Sequence, residues 1–157
     1  MLSNLLGFFR VLYIQTIDFF HCNKNLNYFE ELENTVTHFK SLKDGEKNRL
    51  SHDIGTLFRS VNKKSDNYFS IDNLNGIIHF DAENKWIEVG GKTRYYDILK
   101  YTLKYNLMPK VVPELSSITV GGAITGISIE SSSFKYGWGH DSVIDIDVLT
   151  ADGEVLF

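Results

Sequence analysis

The sequence contains a single cysteine, Cys22, and little excess of either charge. One cysteine excludes an internal disulfide and a cysteine-based metal cluster, since each needs more than one thiol. The net charge is −4 at pH 7, without a long basic run. This balance disfavours nucleic-acid binding, because phosphate neutralisation normally shows as a face rich in lysine and arginine. Hydrophobic residues make up 43% and aromatic residues 13% of the 157 residues, so we predict about one globular domain.

An uninterrupted apolar run of membrane-spanning length is also missing. Residues 1–20 are mostly apolar, but Arg10 and Asp18 interrupt them, and charge within a span is costly. No small-residue cleavage site of the signal-peptide type is present. We interpret residues 1–50 as an N-terminal helical region whose first part packs on a partner domain or contacts a membrane peripherally, with a transmembrane span as the alternative. The apolar residues are Leu2, Leu5, Leu6, Phe8, Phe9, Val11, Leu12, Ile14, Ile17, Phe19 and Phe20.

Residue spacing predicts both helices and strands. Asn25–Lys43 carries apolar residues at three- and four-residue spacing, which predicts an amphipathic helix. Residues 76–80 and 86–89 predict a β-hairpin with a five-residue loop. Thr93 is predicted to cap a helix that ends near Asn106.

The last part of the sequence predicts a second hairpin. Residues 143–149 alternate apolar and acidic side chains, which predicts a strand with one solvated face. Asp152 and Gly153 predict the turn that follows. Because the return strand stops at Phe157, we expect an N-terminal fragment that is C-terminally incomplete. The stretch from Ser51 to Phe69 predicts no more than a short strand or turn in a polar loop.

The segment Thr119–Ser131, TVGGAITGISIES, is predicted to bind a cofactor. Adjacent glycines permit positive φ and close approach of a ligand to the backbone, and successive exposed N–H groups form an anion-binding concavity without a basic side chain. A dinucleotide pyrophosphate suits such a surface; a simple tight turn is the alternative, and neither GxGxxG nor the Walker pattern is present. The predicted cofactor-binding residues are Thr119, Val120, Gly121, Gly122, Ala123, Ile124, Thr125, Gly126, Ile127, Ser128, Ile129, Glu130 and Ser131.

A longer stretch around this segment resembles a family of flavoproteins. Val112–Gly137 reads VPELSSITVGGAITGISIESSSFKYG. It is similar to the FAD-binding segment of the Δ24-sterol reductase family, a branch of the vanillyl-alcohol-oxidase-like flavoproteins that has bacterial oxidoreductase relatives. Asn84–Val89 and Asp145–Val155 resemble strands of the same family, and the resemblance extends from about Leu57 to Phe157.

The resemblance implies an α+β fold: a PCMH-type FAD-binding domain at residues 51–157, with two small subdomains that grip FAD. It implies that the main chain of the TVGG residues lies near the pyrophosphate, and that the ESS residues lie nearer the ribityl chain and ring. For Glu130, a solvated loop acid or a structural cap is the alternative. The groups concerned are the N–H donors of Val120, Gly121 and Gly122, and the residues Glu130, Ser131 and Ser132.

The resemblance also implies an activity. A reduced nicotinamide, NAD(P)H, passes a hydride to the flavin, which reduces a carbon–carbon double bond of a sterol-like or lipid substrate; the protein positions the ring and excludes water. The alternatives are an FAD-dependent alcohol oxidase or dehydrogenase, and a non-catalytic remnant that binds FAD weakly or not at all. Catalytic residues are not assigned, because we expect the substrate domain to lie beyond Phe157. The expected location is cytoplasmic or membrane-peripheral.

Other residues depart from the pattern or invite different chemistry. The glycine-rich RGGGHS-type loop of the wider superfamily corresponds here to Ser51–Arg59, which has one glycine, so a covalent flavin link through its His52 is disfavoured. His140 and Asp141 resemble a catalytic dyad, but adjacent residues do not readily form the base–orienter hydrogen bond, so turn packing or capping is predicted. Trp138 either covers the cofactor or belongs to the core. The other histidines lack metal-ligand spacing, and no metal site is predicted; these are His21, His38 and His79.

Overall fold

The computed structural model describes residues 26–42, 48–51 and 67–156. The described part contains helices and three two-stranded sheets, so the predicted α+β class is confirmed. The predictions for residues 1–20 and for residues 52–59 lie outside the described residues. The helices are α1 Leu26–Ser41, α2 Tyr95–Thr102, α3 Val120–Thr125 and α4 Ser133–Tyr136, with 3-10 turns at Leu103–Tyr105 and Gly139–Ser142. The strands are β1 Asn48–Leu50, β2 Asn67–Phe69, β3 Ile77–Asp81, β4 Trp86–Val89, β5 Val148–Leu149 and β6 Val155–Leu156.

Helix α1 packs on the first of two hydrophobic clusters. Its apolar face, spaced by three and four residues, confirms the predicted amphipathic helix. Phe39 contacts Phe69 of β2 edge-to-face, with ring centroids 5.7 Å apart. This cluster therefore joins the N-terminal helix to strands from the middle and end of the chain. Its buried members are Tyr28, Phe69, Leu74, Ile78 and Leu149.

Strands β1 and β2 pair in parallel, with Asn48 opposite Asn67. Strands β3 and β4 form the predicted hairpin. Its loop is shorter than the predicted five residues, because Asp81 pairs with Trp86 and extends β3 by one residue. The Asp81 carboxylate then accepts hydrogen bonds from the backbone and side-chain amides of Asn84, both at 2.8 Å, which closes the turn.

Helix α2 begins without the predicted side-chain cap. The residue at its N-cap is Arg94, which makes no capping hydrogen bond. The hydroxyl of Thr93 is instead bonded to the backbone of Gly76, so the prediction of Thr93 as a cap is wrong. The predicted end is confirmed, since Asn106 adopts the left-handed conformation at φ 58° after the 3-10 turn.

The C-terminal hairpin is shorter than predicted. The turn at Asp152 and Gly153 is confirmed, and Gly153 has φ 83°, a conformation that suits glycine. Residues 143–147 are not a strand, so that part of the prediction is wrong. The carboxylate of Asp145 accepts the N–H of Ile146 at 2.8 Å, a local bond that competes with sheet pairing.

The second hydrophobic cluster fixes α3 against α2 and the β3–β4 hairpin. Its buried members are Val89, Tyr95, Ile98, Val120 and Ala123.

Among the described residues, no helix has the length and hydropathy needed to cross a membrane.

Candidate functional site

Helix α3 occupies the first half of the segment predicted to bind a cofactor. Thr119 caps it, and the Thr119 hydroxyl accepts the N–H of Gly122 at 3.2 Å. The adjacent glycines are thus helical rather than part of a left-handed turn. The positive φ angles lie further along, at Ile127 (73°) and Ser128 (50°).

The start of α3 is hydrogen-bonded to the loop that precedes α2. The N–H of Val120 donates to the carbonyl of Thr93, and that of Gly121 to the carbonyl of Gly91, both at 2.9 Å. Together with the Gly122–Thr119 bond, these contacts occupy the three N–H groups expected to meet a pyrophosphate. In this structure these three N–H groups thus already have partners within the chain. Whether other atoms of the segment hold the cofactor stays a prediction.

Burial divides the predicted residues into two groups. Val120 and Ala123 are 7% and 4% exposed, and their side chains hold α3 in the second cluster. Ile127 and Ile129, in contrast, are 45% and 66% exposed. The other exposed members are Gly122, Thr125, Gly126 and Ser131. The exposed surface of the segment therefore includes one face of α3 and most of the residues that follow it.

Residues 127–131 follow α3 and are here named the 127–131 strip. Within the described part of the chain, the N–H groups of Ser128, Ile129 and Ser131 make no hydrogen bond. Open backbone donors beside exposed apolar side chains suit a ligand that has both an apolar ring and a polar chain. A flavin nucleotide has these two parts, so the strip fits FAD. Ile127 adds a β-branched residue at positive φ, an outlier of the kind that clusters at functional sites.

Side-chain hydrogen bonds connect the strip and the start of α4 to the segment 110–114. The carboxylate of Glu130 accepts the backbone N–H of Glu114 at 3.2 Å. The hydroxyl of Ser132 donates to the carbonyl of Lys110 at 3.0 Å. The N–H of Glu130 donates to the hydroxyl of Ser133 at 2.9 Å, and the N–H of Ser133 returns a bond of 2.9 Å to the carbonyl of Glu130. Of the alternatives for Glu130, the structure is nearer to a structural cap than to a solvated loop acid, because its carboxylate accepts a backbone N–H.

Glu130 also acts on the buried Tyr95 at the start of α2. Burial, and then the negative charge of Glu130, raise the pKa of the Tyr95 phenol. The charge of Glu130 therefore acts on a side chain of the second hydrophobic cluster.

On its other side the strip contacts Gly139. The N–H of Gly139 donates to the carbonyl of Ser128 at 3.0 Å. A β-carbon at Gly139 would lie 2.8 Å from that of Ser128, so only glycine permits this approach. The strip and the start of α4 are thus hydrogen-bonded to two neighbours, segment 110–114 and the turn at Gly139. The sequence analysis missed Tyr95, Gly139 and the backbone of Lys110 and Glu114. A main-chain atom can form a hydrogen bond in almost any residue type, so the sequence does not reveal such contacts.

The remaining sequence candidates have structural roles. Asp141 accepts the N–H of Trp138 at 2.8 Å, and its other oxygen lies 3.8 Å from Nε2 of His140. The predicted capping role is confirmed by the shorter contact. Trp138 is 45% exposed and lies edge-on to His140, which excludes it from the core. The described residues contain no group of histidine, cysteine, aspartate and glutamate side chains suited to a metal ion.

Comparisons with known proteins identify relatives of this chain. The Δ24-sterol reductase of Pisum sativum is 35% identical over 105 residues, which is 66% of this chain and 18% of the relative. Cytokinin dehydrogenase 1 of Arabidopsis thaliana is 31% identical over 77 residues, 49% of this chain and 13% of the relative. A Δ24-sterol reductase homolog of Caenorhabditis elegans is 30% identical over 93 residues, 59% of this chain and 18% of the relative. The chain thus spans less than a fifth of the length of these curated relatives.

No solved structure matches the chain. The sequence profile of one family, described as FAD binding domain, matches residues 57–157. This match covers most of the chain and the whole of the 127–131 strip, and it confirms FAD as the predicted cofactor. The chain therefore belongs to the FAD binding domain family.

Proposed function

We propose that this chain forms one wall of the FAD site of a flavin-dependent oxidoreductase that reduces a carbon–carbon double bond in a sterol-like or lipid substrate, with NAD(P)H as electron donor. The observation that carries the proposal is the 35% identity to a Δ24-sterol reductase, which extends over 105 residues. The family match to residues 57–157 includes the residues of the 127–131 strip.

The chain's own residues contribute binding and shielding. Bound FAD supplies the redox chemistry. The N–H groups of Ser128 and Ile129 provide hydrogen-bond donors, and the side chains of Ile127 and Ile129 provide apolar surface that excludes water. These residues follow α3 directly in the chain. The buried side chain of Val120 anchors α3 in the second hydrophobic cluster.

Two other candidate functions each have an observation in their favour. The 31% identity to a cytokinin dehydrogenase supports an FAD-dependent dehydrogenase or oxidase that acts on a different small molecule. The internal hydrogen bonds of the Val120, Gly121 and Gly122 N–H groups support a remnant that binds FAD weakly or not at all.

Flavin uptake by the purified chain tests the proposal first. The chain is equilibrated with FAD, freed of excess cofactor and examined for flavin absorption, and its Kd is obtained by titration. We expect a coloured protein in which Ile129→Asp weakens FAD binding by about tenfold, because a charge replaces apolar contact area. Ile144→Asp is the matched control, since Ile144 is similarly exposed (54%) but lies outside the strip. A colourless chain supports the remnant and overturns the proposal.

The direction of electron flow separates the two enzymatic candidates. Under anaerobic conditions, NAD(P)H is expected to bleach the bound flavin, and a sterol with an isolated double bond is expected to restore its colour. Bleaching by an oxidisable small molecule in the absence of NAD(P)H indicates the dehydrogenase or oxidase instead.

We extend the proposal to location: cytoplasmic or membrane-peripheral, with membrane contact through residues 1–20. The apolar sequence of these residues, interrupted by Arg10 and Asp18, supports surface contact. Co-sedimentation with phospholipid vesicles, lost when residues 1–20 are deleted, is the expected result.

A further inference from the structure

The strip that carries the open donors has few supports of its own. Ile127 and Ile129 are largely exposed, so hydrophobic packing does little to fix their backbone. Ser128 is in the left-handed region at φ 50°, which is not the preferred conformation of serine. The geometry of these donors therefore depends on the hydrogen bonds that tie the strip to its neighbours.

On the side of segment 110–114, the hydrogen bonds come from two side chains. Glu130 holds the N–H of Glu114 at 3.2 Å, and Ser132 holds the carbonyl of Lys110 at 3.0 Å. We name this pair of contacts the Glu130 clasp. Each contact joins a side chain to the main chain, so the clasp fixes the backbone of one segment relative to the other.

The carboxylate of Glu130 has a partner within the chain. It engages a backbone N–H that is 16 residues away in sequence, and its charge influences the buried Tyr95. This bond already uses part of the hydrogen-bonding capacity of the carboxylate. Its repulsion of a ligand phosphate also disfavours direct contact there.

We propose that Glu130 is a positioning residue for FAD: through the Glu130 clasp it holds the 127–131 strip in the conformation that presents the N–H groups of Ser128 and Ile129. The inference rests on the proposed FAD site. It reassigns Glu130 from a cofactor contact to a support of the backbone that makes the contact.

Three variants test the clasp. Glu130→Ala removes the acceptor, and Glu130→Gln keeps an oxygen that can accept the Glu114 N–H. Glu83→Ala is the control, because it removes an exposed carboxylate of the β3–β4 loop, outside the clasp. Each purified chain is measured twice: by FAD titration for Kd, and by hydrogen exchange of residues 127–133 without FAD. The exchange measurement detects positioning, because a residue that only touched the ligand would not alter exchange in its absence.

We expect Glu130→Ala to weaken FAD binding by about tenfold, the order of magnitude for one charge-assisted hydrogen bond. It should also accelerate exchange in residues 127–133. Glu130→Gln should restore both values to within about threefold of wild type, since it keeps a neutral form of the same bond. Glu83→Ala should match wild type in both.

Other outcomes overturn the proposal in distinguishable ways. Equal FAD affinity in wild type and Glu130→Ala refutes the positioning role while leaving the FAD site intact. Weak binding in both Glu130 variants, with unchanged exchange, shows direct contact between the carboxylate and the ligand. A wild-type chain that takes up no FAD refutes the proposed function, and this role with it. If Glu130→Ala does not fold, Ser132→Ala removes the other half of the clasp; unchanged exchange and affinity in that variant refute the proposal.

Discussion

The hydroxyl of Thr93 forms two hydrogen bonds with Gly76: it accepts the Gly76 N–H at 2.8 Å and donates to the Gly76 carbonyl at 3.0 Å. Thr93 is 2% exposed, and its own carbonyl accepts the N–H of Val120 at 2.9 Å. One buried threonine thus connects the start of the β3–β4 hairpin to the first residue of α3. The position of the cofactor segment depends on this connection.

Replacing Thr93 by valine should therefore destabilise the fold. The change keeps the shape of the side chain but leaves the N–H of Gly76 without its partner, which costs about 1–3 kcal/mol for a buried group. Thr93→Ser keeps the hydroxyl and loses a methyl group, for which we expect a loss of about 1 kcal/mol. Urea denaturation monitored by circular dichroism measures both. A Thr93→Val protein as stable as wild type would show that the two bonds contribute nothing.

The ion pair between Lys92 and Asp72 should make stability depend on pH. Their charged atoms are 2.7 Å apart, and the hydrogen bond from Lys92, followed by that from Ser70, lowers the pKa of Asp72 below its ordinary 3.8. Since the folded-state pKa is lower than the unfolded one, the stabilisation is present above the unfolded pKa. It is lost as the pH falls through the folded-state pKa.

Asp72→Asn should accordingly reduce the free energy of unfolding at pH 7 by about 1 kcal/mol. This value is small because the side chain of Asp72 is 43% exposed and solvent screens its charge. The difference from wild type should vanish in strong acid, where Asp72 is protonated. Thermal melts between pH 7 and pH 2 check this. A difference that stays constant across the range would contradict the lowered pKa.

Leu149 should contribute far more to stability than its neighbour in the same hairpin, Leu156. Leu149 is 1% exposed within the cluster that includes α1, whereas Leu156 is 58% exposed. Leu149→Ala leaves a cavity and is expected to cost about 2–5 kcal/mol, while Leu156→Ala is expected to change stability by no more than about 0.5 kcal/mol. Similar losses in both variants would mean that the hairpin does not pack on α1.

The features predicted from the sequence are those with a local signal. Apolar spacing identified α1 and the β3–β4 hairpin, and Asp152-Gly153 identified the C-terminal turn. The role of Thr93 was missed because its partner, Gly76, is 17 residues away, and propensity at a helix start carries no information about such a partner.

The backbone geometry of the candidate site differs from the one that the sequence predicts. Adjacent glycines indicated close backbone approach, yet Gly121 and Gly122 belong to a helix whose first N–H groups are occupied. The hydrogen bonds of that helix to the Gly91 and Thr93 carbonyls are tertiary contacts between main-chain atoms. The N–H groups that make no hydrogen bond within the described residues instead include those of Ser128 and Ile129. Serine and isoleucine are not residue types from which a positive φ is predicted.

Asparagine at position 127 should separate the requirements of folding from those of binding. Ile127 has φ 73°, where a β-branched residue is disfavoured by roughly 1 kcal/mol and asparagine is tolerated. Ile127→Asn should thus raise the free energy of unfolding by up to about 1 kcal/mol, while it weakens FAD binding because apolar contact area is lost. Lys85→Asn is the matched control: Lys85 also has a positive φ, 60°, but lies in the β3–β4 loop. It should gain similar stability and leave FAD affinity unchanged. Chemical denaturation and FAD titration on the same preparations give both quantities. If Ile127→Asn is more stable and still binds FAD as tightly as wild type, Ile127 does not belong to the site.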